Sequence, residues 1–503
     1  MRFGELGGIA QQEMSWESVL LENQQLRAQV AEQAARIRGL EHKVQVQAVR
    51  IAELEEQLGL AQKARFGASS ERTQRVRVSA PRTSKPTKER VLKPSERYPD
   101  LPVEEVILDF PETPDCQACG KKMTSTEMFE ESEQLHVIPK RFVIRRKKRK
   151  KYRCCSCHGP LQTAPLEPTM TPGCVYSDEL QIDVVKAKFC DLVPIGRYCT
   201  QAERLGAQGL PPQSLIECTH RVAEFLSPVY ERIRQEVLEA PILHADETTH
   251  RMLEGASTAN WYLWSFSSKN SSYFEAHDTR SGQVASTLLA QAACHTLVSD
   301  VFSGYLKALR EANDEREKQG LAPIQHIYCN AHCRRKFVEA KTHYAEQVAD
   351  FITDYATIYH FEALAKGLSP PEILQFRQQS RVVFERMRVR AEALSGQFSQ
   401  NSAIERAVRY FLKNYEEFTR FTYTADLPID NNPAERILRN PVIGRKTWYG
   451  THSKLGAKTT VIHFTIIESC KLNKLNPREY LADVIATLHQ GKRPMTPFEY
   501  AQA

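Results

Sequence analysis

Residues 241–246 read PILHAD, a short apolar run that ends in a carboxylate. A second run of this kind, HTLVSDVF, occupies residues 295–302 and leads into Asp300. Apolar runs of this length are typical of buried β-strands. Between the two runs, NWYLWSFSS (260–268) and SSYFEAHD (271–278) predict a β-hairpin, and GQVASTLLAQA (282–292) predicts a helix.

The order of these elements, three strands, a helix and a fourth strand, is the order in which a ribonuclease-H-like domain begins. IQHIYCNAH (324–332) predicts a fifth strand, and the residues from there to about Arg420 predict helices. IDNNPAERILR (429–439) begins a further helix, with Asn432 predicted as its N-cap and Pro433 as its first residue. We therefore predict a ribonuclease-H-like α/β catalytic core over residues 241–340 and 425–465, with a helical insertion over residues 341–424.

Three carboxylates occupy the places where such a core binds metal, namely the first strand, the end of the fourth strand and a late helix. They are Asp246, Asp300 and Glu435. Two Mg²⁺ (or Mn²⁺) ions held roughly 3.5–4 Å apart can activate a water or a 3′ hydroxyl and stabilise a leaving oxygen. Mg²⁺ prefers oxygen ligands and leaves positions open for phosphate and water. These residues are therefore the predicted catalytic and metal-binding acids.

Each carboxylate also has a structural interpretation. Asp246 is followed by Glu247, and strand alternation allows only one of the two on the metal face, without choosing between them. Asp300 is also suited to capping a turn. Glu435 is the third residue of the predicted helix, the position of a capping-box glutamate.

The amino-terminal segment, residues 1–62, carries a heptad repeat that contains no proline. The a positions are Trp16, Asn23, Val30, Ile37, Val44, Ile51 and Leu58, and the d positions are Val19, Leu26, Gln33, Leu40, Gln47, Leu54 and Ala61. β-Branched residues at a with leucine at d favour a parallel two-stranded coiled coil. We predict a homodimer or higher oligomer, the alternative being a long helix packed against its own chain.

Residues 63–113 form a polar, basic, proline-bearing segment that we interpret as a linker. Two CxxC pairs follow, Cys116/Cys119 and Cys154/Cys157, separated by 34 residues. Four thiolates presented in two pairs are typical of a closed structural Zn²⁺ site, which predicts a zinc ribbon over residues 114–173. Cys155 and His158 are alternative ligands, and four unmetallated thiols in a reducing cell are the competing interpretation.

Basic residues are concentrated beside the second pair. The segment from Lys140 to Arg153 contains ten Lys or Arg and no acid, which indicates a polyanionic partner such as DNA. The predicted DNA-binding residues here are Arg145, Arg146, Lys147, Lys148, Arg149, Lys150 and Lys151, and those beyond the third acid are Arg439, Arg445 and Lys446. Arg439, one helical turn after Glu435, is favoured over Arg436 for phosphate contact. A solvated basic surface is the alternative.

Residues 174–240 predict helices, and QAERLGAQGLPPQSLIECTHRVAEFL within them is a candidate helix-turn-helix. Residues 466–503 form a carboxyl-terminal element. The predicted fold class is thus multidomain α+β, with a coiled coil, a zinc ribbon, a helical DNA-binding region and the catalytic core.

Cys329, His332 and Cys333 form a CxxHC cluster after the fifth predicted strand. A zinc site is one interpretation, but the sequence offers no matching pair of ligands elsewhere. We therefore favour a packing or orienting role for these residues.

Several segments, LHADET, LVSDVFSGY, CNAHCRRKF, DNNPAERILR and GRKTWYG, resemble the signature blocks of the insertion-sequence-66 family of bacterial DDE transposases. The resemblance extends to the heptad region, ARFGASSER (64–72), KYRCCSC (151–157) and IIESCKLNKLNPREYL (466–481). It implies that Asp246, Asp300 and Glu435 are the acidic triad, and it favours Asp246 over Glu247. It also implies cleavage at the element's terminal inverted repeats, strand transfer into target DNA, and small accessory proteins of the same element.

Two other functions compete with an active transposase. One is a catalytically silent, transposase-derived DNA-binding regulator, and the other is a ribonuclease-H-like nuclease without joining activity. The start MRFGELGGIA lacks a signal-peptide pattern, and no apolar run approaches the roughly 18 residues of a membrane helix. We therefore expect a cytoplasmic, nucleoid-associated protein without membrane contact, whose thirteen cysteines are reduced or bind metal.

Overall fold

The computed structural model describes residues 24–41, 43–44, 46–47, 51, 54, 93–108, 112–114, 117–118, 121–123, 131–153, 161–253 and 260–503. The chain divides into two compact units. The larger comprises Met1–Ala68, Lys148–Arg204 and Gln208–Ala503, and the smaller comprises Ser69–Lys147 and Leu205–Ala207. Within the ranges given above, no helix is both long and apolar enough to cross a lipid bilayer.

Residues 24–41 form a continuous helix, α1. The described apolar residues at the a and d positions of the heptad repeat, in α1 and after it, are exposed to solvent. They are Leu26, Val30, Ile37, Leu40, Val44, Ile51 and Leu54. No described element of the chain covers this stripe. Trp16, Val19, Asn23, Leu58 and Ala61 lie outside the described residues, and the coiled coil stays a prediction.

In the smaller unit, a short helix, α2 (Pro94–Arg97), is hydrogen-bonded to Glu133, which is distant in the sequence. The backbone N–H and the hydroxyl of Ser95 donate hydrogen bonds of 2.8 and 2.9 Å to the carboxylate of Glu133. These bonds lower the pKa of Glu133.

The four predicted zinc ligands, Cys116, Cys119, Cys154 and Cys157, lie outside the described residues, as do Cys155 and His158. In the larger unit, the strands β1 (Lys151–Tyr152) and β2 (Gln162–Thr163) pair antiparallel, one before and one after the second CxxC pair. The zinc ribbon therefore stays a prediction.

A helical segment precedes the main sheet. It comprises α3 (Asp178–Val185), a π-helical turn (Lys186–Cys190), α4 (Ile195–Arg204), α5 (Pro212–Phe225) and α6 (Ser227–Glu239). The pair α4 and α5 is the candidate helix-turn-helix. Helix α5 buries Leu215, Cys218, Thr219, Val222 and Ala223, while Gln213, Glu217, Arg221 and Glu224 are exposed.

Five strands form a mixed sheet. The elements are β3 (Ile242–Arg251), β4 (Asn260–Ser267), β5 (Ser272–His277), α7 (Gln283–Leu289), β6 (Thr296–Ser299), α8 (Ser303–Lys318) and β7 (Gln325–Tyr328). The strand order is β5-β4-β3-β6-β7. The pairs β3–β4 and β4–β5 are antiparallel, whereas β3–β6 and β6–β7 are parallel. The predicted strands and helix are therefore present in a mixed α+β fold.

The helices after the sheet are α9 (Asn330–Ala340), α10 (Ala345–Leu364), α11 (Pro370–Leu394), α12 (Ala403–Lys413) and α13 (Tyr415–Thr419), followed by a 3₁₀ turn (Arg420–Tyr423). They share a core with many aromatic residues. The rings of Phe337 and Phe351 stack with their centroids 4.4 Å apart, and Phe384, Phe411 and Phe418 are fully buried around them.

The last helices are α14 (Asn432–Trp448), α15 (Lys454–Leu472), α16 (Pro477–His489) and α17 (Pro497–Gln502). Helix α15 is buried along most of its length, and its side chains form hydrogen bonds with the backbone of the edge strand β5. Phe274 N–H donates to the hydroxyl of Thr465, and Ser272 N–H donates to that of Ser469, each at 3.0 Å. These bonds occupy backbone groups that an edge strand otherwise leaves unpaired.

The start of α14 differs by one residue from the prediction. Asn431 is the N-cap and Asn432 is the first helical residue, so Pro433 lies one position further into the first turn. The first helical hydrogen bond runs from Glu435 N–H to Asn431 O at 3.2 Å. This helix has no capping box, so Glu435 does not have the capping role that its spacing also allowed.

Candidate active site

Asp246 and Asp300 lie at the same edge of the sheet. Asp246 is the fifth of the ten residues of the central strand β3, and Asp300 directly follows β6. The parallel register of β3 and β6 pairs His244 with Val298, so two residues further on Asp246 lies beside Asp300, where β6 has ended. Both side chains are partly buried. The two aspartates predicted from the sequence are therefore brought together by the sheet topology.

Glu247, the competitor of Asp246, has both carboxylate oxygens occupied. Arg280 donates two hydrogen bonds to Oε1, from Nε at 2.8 Å and from Nη2 at 2.6 Å, and the hydroxyl of Tyr305 donates to Oε2 at 2.6 Å. The Glu247 side chain is only 3% exposed. It therefore ties β3 to α8 and to the loop that precedes α7, and it contributes a negative charge beside the two aspartates.

The site has an excess of negative charge. The pKa of Asp246 is raised well above its usual value, first by burial, then by the negative charges of Glu247 and Asp300, with a smaller contribution from Glu435. Burial also raises the pKa of Asp300, and Glu247 adds to this effect, while His332 and Arg280 oppose it. Carboxylates that raise each other's pKa would be stabilised by a cation bound among them.

Glu435 is placed differently from the two aspartates. Its carboxylate lies against α9, with Oε1 at 3.5 Å from His332 Nδ1 and Oε2 at 3.8 Å from Arg335 Nη2. Ligand atoms of Cys329, His332 and Glu435 lie within 4.8 Å of one another, and among the described residues neither aspartate belongs to this close group. Glu435 is thus within electrostatic range of Asp246 but is turned toward α9.

Asn431 fixes the start of α14 to the sheet. Its side-chain amide donates a 2.9 Å hydrogen bond to Ala245 O, its Oδ1 lies 2.9 Å from His244 Nδ1, and its backbone N–H points to the sulfur of Cys329 at 3.2 Å. Asn431 is almost fully buried. The strand that carries Asp246, the helix that carries Glu435 and the start of α9 are therefore joined through one residue, Asn431.

Asn330 makes the second connection. Its side-chain amide donates to Phe418 O at 2.9 Å and to Ile429 O at 3.0 Å, and its backbone N–H donates to Ile429 O at 3.3 Å. Asn330, Asn431 and His244 were not among the site residues predicted from the sequence. The available signal was their spacing, since Asn330 directly follows Cys329, His244 lies two residues before Asp246, and Asn431 lies four residues before Glu435.

The predicted DNA-contacting residues have different surroundings. Arg439 and Lys446 are exposed on α14. Arg445 instead donates to the backbone carbonyl of Thr249 and to the hydroxyls of Thr249 and Thr248, at 2.5 and 3.2 Å, and so packs α14 on β3.

The predicted basic segment is exposed in both units. Arg145, Arg146 and Lys147 belong to the smaller unit, and Lys148, Arg149, Lys150 and Lys151 belong to the larger. In the larger unit, Arg149 also donates to Ala164 O at 2.5 Å. DNA contact by these side chains stays a prediction.

The ligand atoms that Asp246 and Asp300 offer suit a hard divalent cation. Asp246 and Asp300 supply carboxylate oxygens, which are the ligands that Mg²⁺ prefers. Oδ1 of Asp300 is buried and accepts no hydrogen bond from any described residue. A buried oxygen without a partner has lost its hydration without compensation, so a bound cation would stabilise it.

The chain is similar to known protein families over most of its length. Residues 173–459 match the family described as "Transposase IS66 family", and residues 465–496 match the "IS66 C-terminal element". Two relatives come from Sinorhizobium fredii (strain NBRC 101917 / NGR234). "Uncharacterized protein y4hP" is 26% identical over 435 residues, covering 80% of this chain and 76% of the relative. "Uncharacterized protein y4jD" is 26% identical over 411 residues, covering 79% of each.

Proposed function

The chain belongs to the IS66 family of transposases, and we propose that it cleaves DNA strands at the ends of an insertion sequence and joins them to target DNA. The observation that carries this proposal is the pairing of Asp246 and Asp300 at one sheet edge, with raised pKa values and an unpartnered buried oxygen. Both features are those of a site that holds divalent cations.

We also propose that the sheet domain is ribonuclease-H-like. Support comes from its strand order, β5-β4-β3-β6-β7, in which two antiparallel pairings are followed by two parallel ones. In this arrangement the first strand of the domain is central, and its carboxylate lies next to the end of the fourth strand. The positions of Asp246 and Asp300 agree with that assignment.

Asp246, Asp300 and Glu435 would hold two Mg²⁺ (or Mn²⁺) ions. When bound, such ions activate a water or a 3′ hydroxyl and stabilise the leaving oxygen. Glu247 supports the site from outside, because Arg280 and Tyr305 already use both of its oxygens. Asn431 keeps the helix of Glu435 next to the strand of Asp246.

Exposed positive charge would bring DNA to this site. Arg439 lies about one helical turn after Glu435 and is exposed, so its guanidinium can reach a phosphate. The basic segment Arg145 to Lys151 offers a second contact. We further propose that the exposed heptad stripe of α1 pairs with a second copy of the chain, since two element ends must be held together during transposition.

The test is cleavage and joining of duplex DNA that carries the terminal inverted repeats of the insertion sequence, with Mg²⁺ or Mn²⁺ present. The full-length chain is used with and without the accessory proteins of that element. Loss of a metal ligand removes several kcal/mol of transition-state stabilisation, so Asp246→Asn and Asp300→Asn should cut about 1000-fold more slowly. Asp314→Asn, on the exposed surface of α8, is the matched control.

Three outcomes would count against the proposal in different ways. Full cleavage by either active-site variant would remove that aspartate from the site. Cleavage without joining would indicate a nuclease. Binding to element ends without cleavage, under any of these conditions, would indicate a regulator.

A further inference from the structure

The close group formed by Cys329, His332 and Glu435 is a different kind of site from the aspartate pair. Cys329 is the N-cap of α9, His332 lies in the first turn of α9, and Glu435 lies in the first turn of α14. Their ligand atoms lie within 4.8 Å of one another. We propose that these three side chains bind a transition-metal cation of borderline softness, such as Zn²⁺, with the aspartates outside its coordination.

The donor set favours this class of metal. It combines one sulfur, one imidazole nitrogen and one carboxylate oxygen, a mixture that suits Zn²⁺ or Co²⁺ and that Mg²⁺ does not select. His332 Nδ1 and Glu435 Oε1 are 3.5 Å apart. Two ligands bonded at about 2.0–2.1 Å to a tetrahedral zinc ion are separated by roughly 3.4 Å, so little movement is needed.

The sulfur of Cys329 is already held as a metal ligand would be. It is buried, and it accepts hydrogen bonds from the backbone N–H groups of Asn431, at 3.2 Å, and of His332. Burial raises the pKa of the Cys329 thiol to about 12, and these two hydrogen bonds act in the opposite direction. Hydrogen bonds to a sulfur stabilise the thiolate, the form that binds metal. Asn431 is itself bonded to Ala245, so this donor is fixed in place.

The site is open on one side. The His332 and Glu435 side chains are 27% and 28% exposed, while Cys329 closes the inner side. Three protein ligands with one open position are typical of zinc sites that keep a bound water. Arg335 contacts the other oxygen of Glu435 and is itself 47% exposed, so it can turn away without burying an unpaired charge.

A metal site at Cys329 and His332 differs from the packing or orienting role that the sequence favoured for these residues. The CxxHC cluster contributes Cys329 and His332, and the third ligand, Glu435, follows His332 by 103 residues. Packing α14 against α9 supplies it. If the proposed function holds, Glu435 is shared between two metal sites, and Zn²⁺ bound here would withdraw Glu435 from the aspartates and slow Mg²⁺-dependent cleavage.

The test is a Co²⁺ titration of the full-length, chelator-treated chain, followed by the absorption of thiolate-bound cobalt. The predicted ribbon cysteines contribute to this absorption, so the measured quantity is the difference between the wild type and each variant. Cys329→Ser and His332→Gln should each bind one Co²⁺ equivalent fewer, or bind it about 100-fold more weakly. Cys333→Ser, a buried thiol one turn further along α9, should bind as the wild type does.

His332→Gln decides the matter if Cys329→Ser does not fold, because the His332 side chain is partly exposed. Equal cobalt binding by the wild type and a folded His332→Gln variant would overturn the inference. Cobalt binding at this site in a chain that never cleaves element ends would contradict only the proposed function. If the wild type cleaves element ends and His332→Gln binds as much cobalt as the wild type does, only the proposed metal site is contradicted.

Discussion

The side-chain amide of Asn431 donates a 2.9 Å hydrogen bond to the backbone carbonyl oxygen of Ala245. Ala245 directly precedes Asp246, and Asn431 caps the helix that carries Glu435. Two acids that are far apart in the chain are thus linked through a single buried amide. The arrangement makes Asn431 a positioning residue whose loss should affect both stability and the site.

We expect Asn431→Ala to lower the free energy of unfolding by about 1–3 kcal/mol, because Ala245 O and His244 Nδ1 would be buried without their partner. Urea unfolding followed by circular dichroism measures this. Asn401→Ala, at an exposed asparagine, is the control and should change stability little. Equal stability of the two variants would show that this amide does not hold the helix to the strand.

Glu247→Gln tests whether Glu247 is a structural acid, as opposed to the metal-binding acid that we propose Asp246 to be. Glu247 accepts hydrogen bonds from Arg280 and Tyr305, so neutralising it should destabilise the fold by about 1.5–3 kcal/mol, the value of bonds to charged groups. Cleavage should stay within about tenfold of the wild type, a loss of no more than about 1.4 kcal/mol in transition-state stabilisation. The measurements are thermal unfolding and strand cleavage. A folded Glu247→Gln as inactive as Asp246→Asn would transfer the metal-binding role to Glu247.

Changing Arg439 to glutamine should affect DNA binding, whereas changing Arg445 to glutamine should affect the stability of the fold. Arg439 is exposed, so its loss should weaken DNA binding and reduce the slope of log affinity against log salt by about one. Arg445 is bonded to Thr248 and Thr249, so its loss should lower stability by about 1–2 kcal/mol. Salt-dependent fluorescence anisotropy and urea unfolding distinguish them. An unchanged salt slope for Arg439→Gln would exclude a phosphate contact.

The protein should lose stability in mild acid through His463. Burial lowers the pKa of His463 to about 4, the charge of Lys188 acts in the same direction, and the hydrogen bond with Thr219 O opposes it. The His463 imidazole therefore stays neutral in the folded state, whereas in the unfolded chain it takes up a proton below its ordinary pKa of about 6.5. Stability is unaffected above that pH and falls toward pH 4, by about 2 kcal/mol near pH 5.

This dependence is measured by urea unfolding between pH 7.5 and pH 4.5. His463→Gln should flatten the acid side of the curve, whereas His360→Gln, at an exposed histidine, should leave it unchanged. An acid side that is equally steep in His463→Gln would assign the effect to other groups. His326 and His250 are candidates, with pKa values lowered by burial to about 3 and about 4.

The heptad stripe should mediate self-association. Ile37→Glu with Leu40→Glu places two charges on the exposed stripe and should raise the dimer dissociation constant at least about 100-fold, since each apolar side chain contributes about 1.5–3 kcal/mol when buried. Light scattering over a concentration series measures the mass. Arg38→Glu, at a position outside the a and d stripe, should remain associated. A wild-type chain that is monomeric throughout would exclude the dimer.

Local pattern was sufficient to predict the elements of the core. Residues 242–246 of PILHAD and Thr296–Ser299 of HTLVSDVF lie in strands in the structure, as short apolar runs do in a sheet that is covered on both faces. The same runs place Asp246 in β3 beside Asp300, which follows the end of the parallel strand β6. The order of the elements along the chain predicted that a carboxylate of β3 meets Asp300, whereas the choice of Asp246 over Glu247 depended on the family resemblance.

The choice among polar side chains depends on contacts between distant segments, which local periodicity does not contain. Glu247 differs from Asp246 in its hydrogen bonds to Arg280 and Tyr305. Helix α14 starts one residue earlier than predicted, at the point where Asn431 is hydrogen-bonded to β3 and to Cys329. The packing of α14 on α9 likewise brings Glu435 to His332. Hydrogen bonds and ion pairs require particular atoms at particular distances, and only the folded chain brings those atoms together.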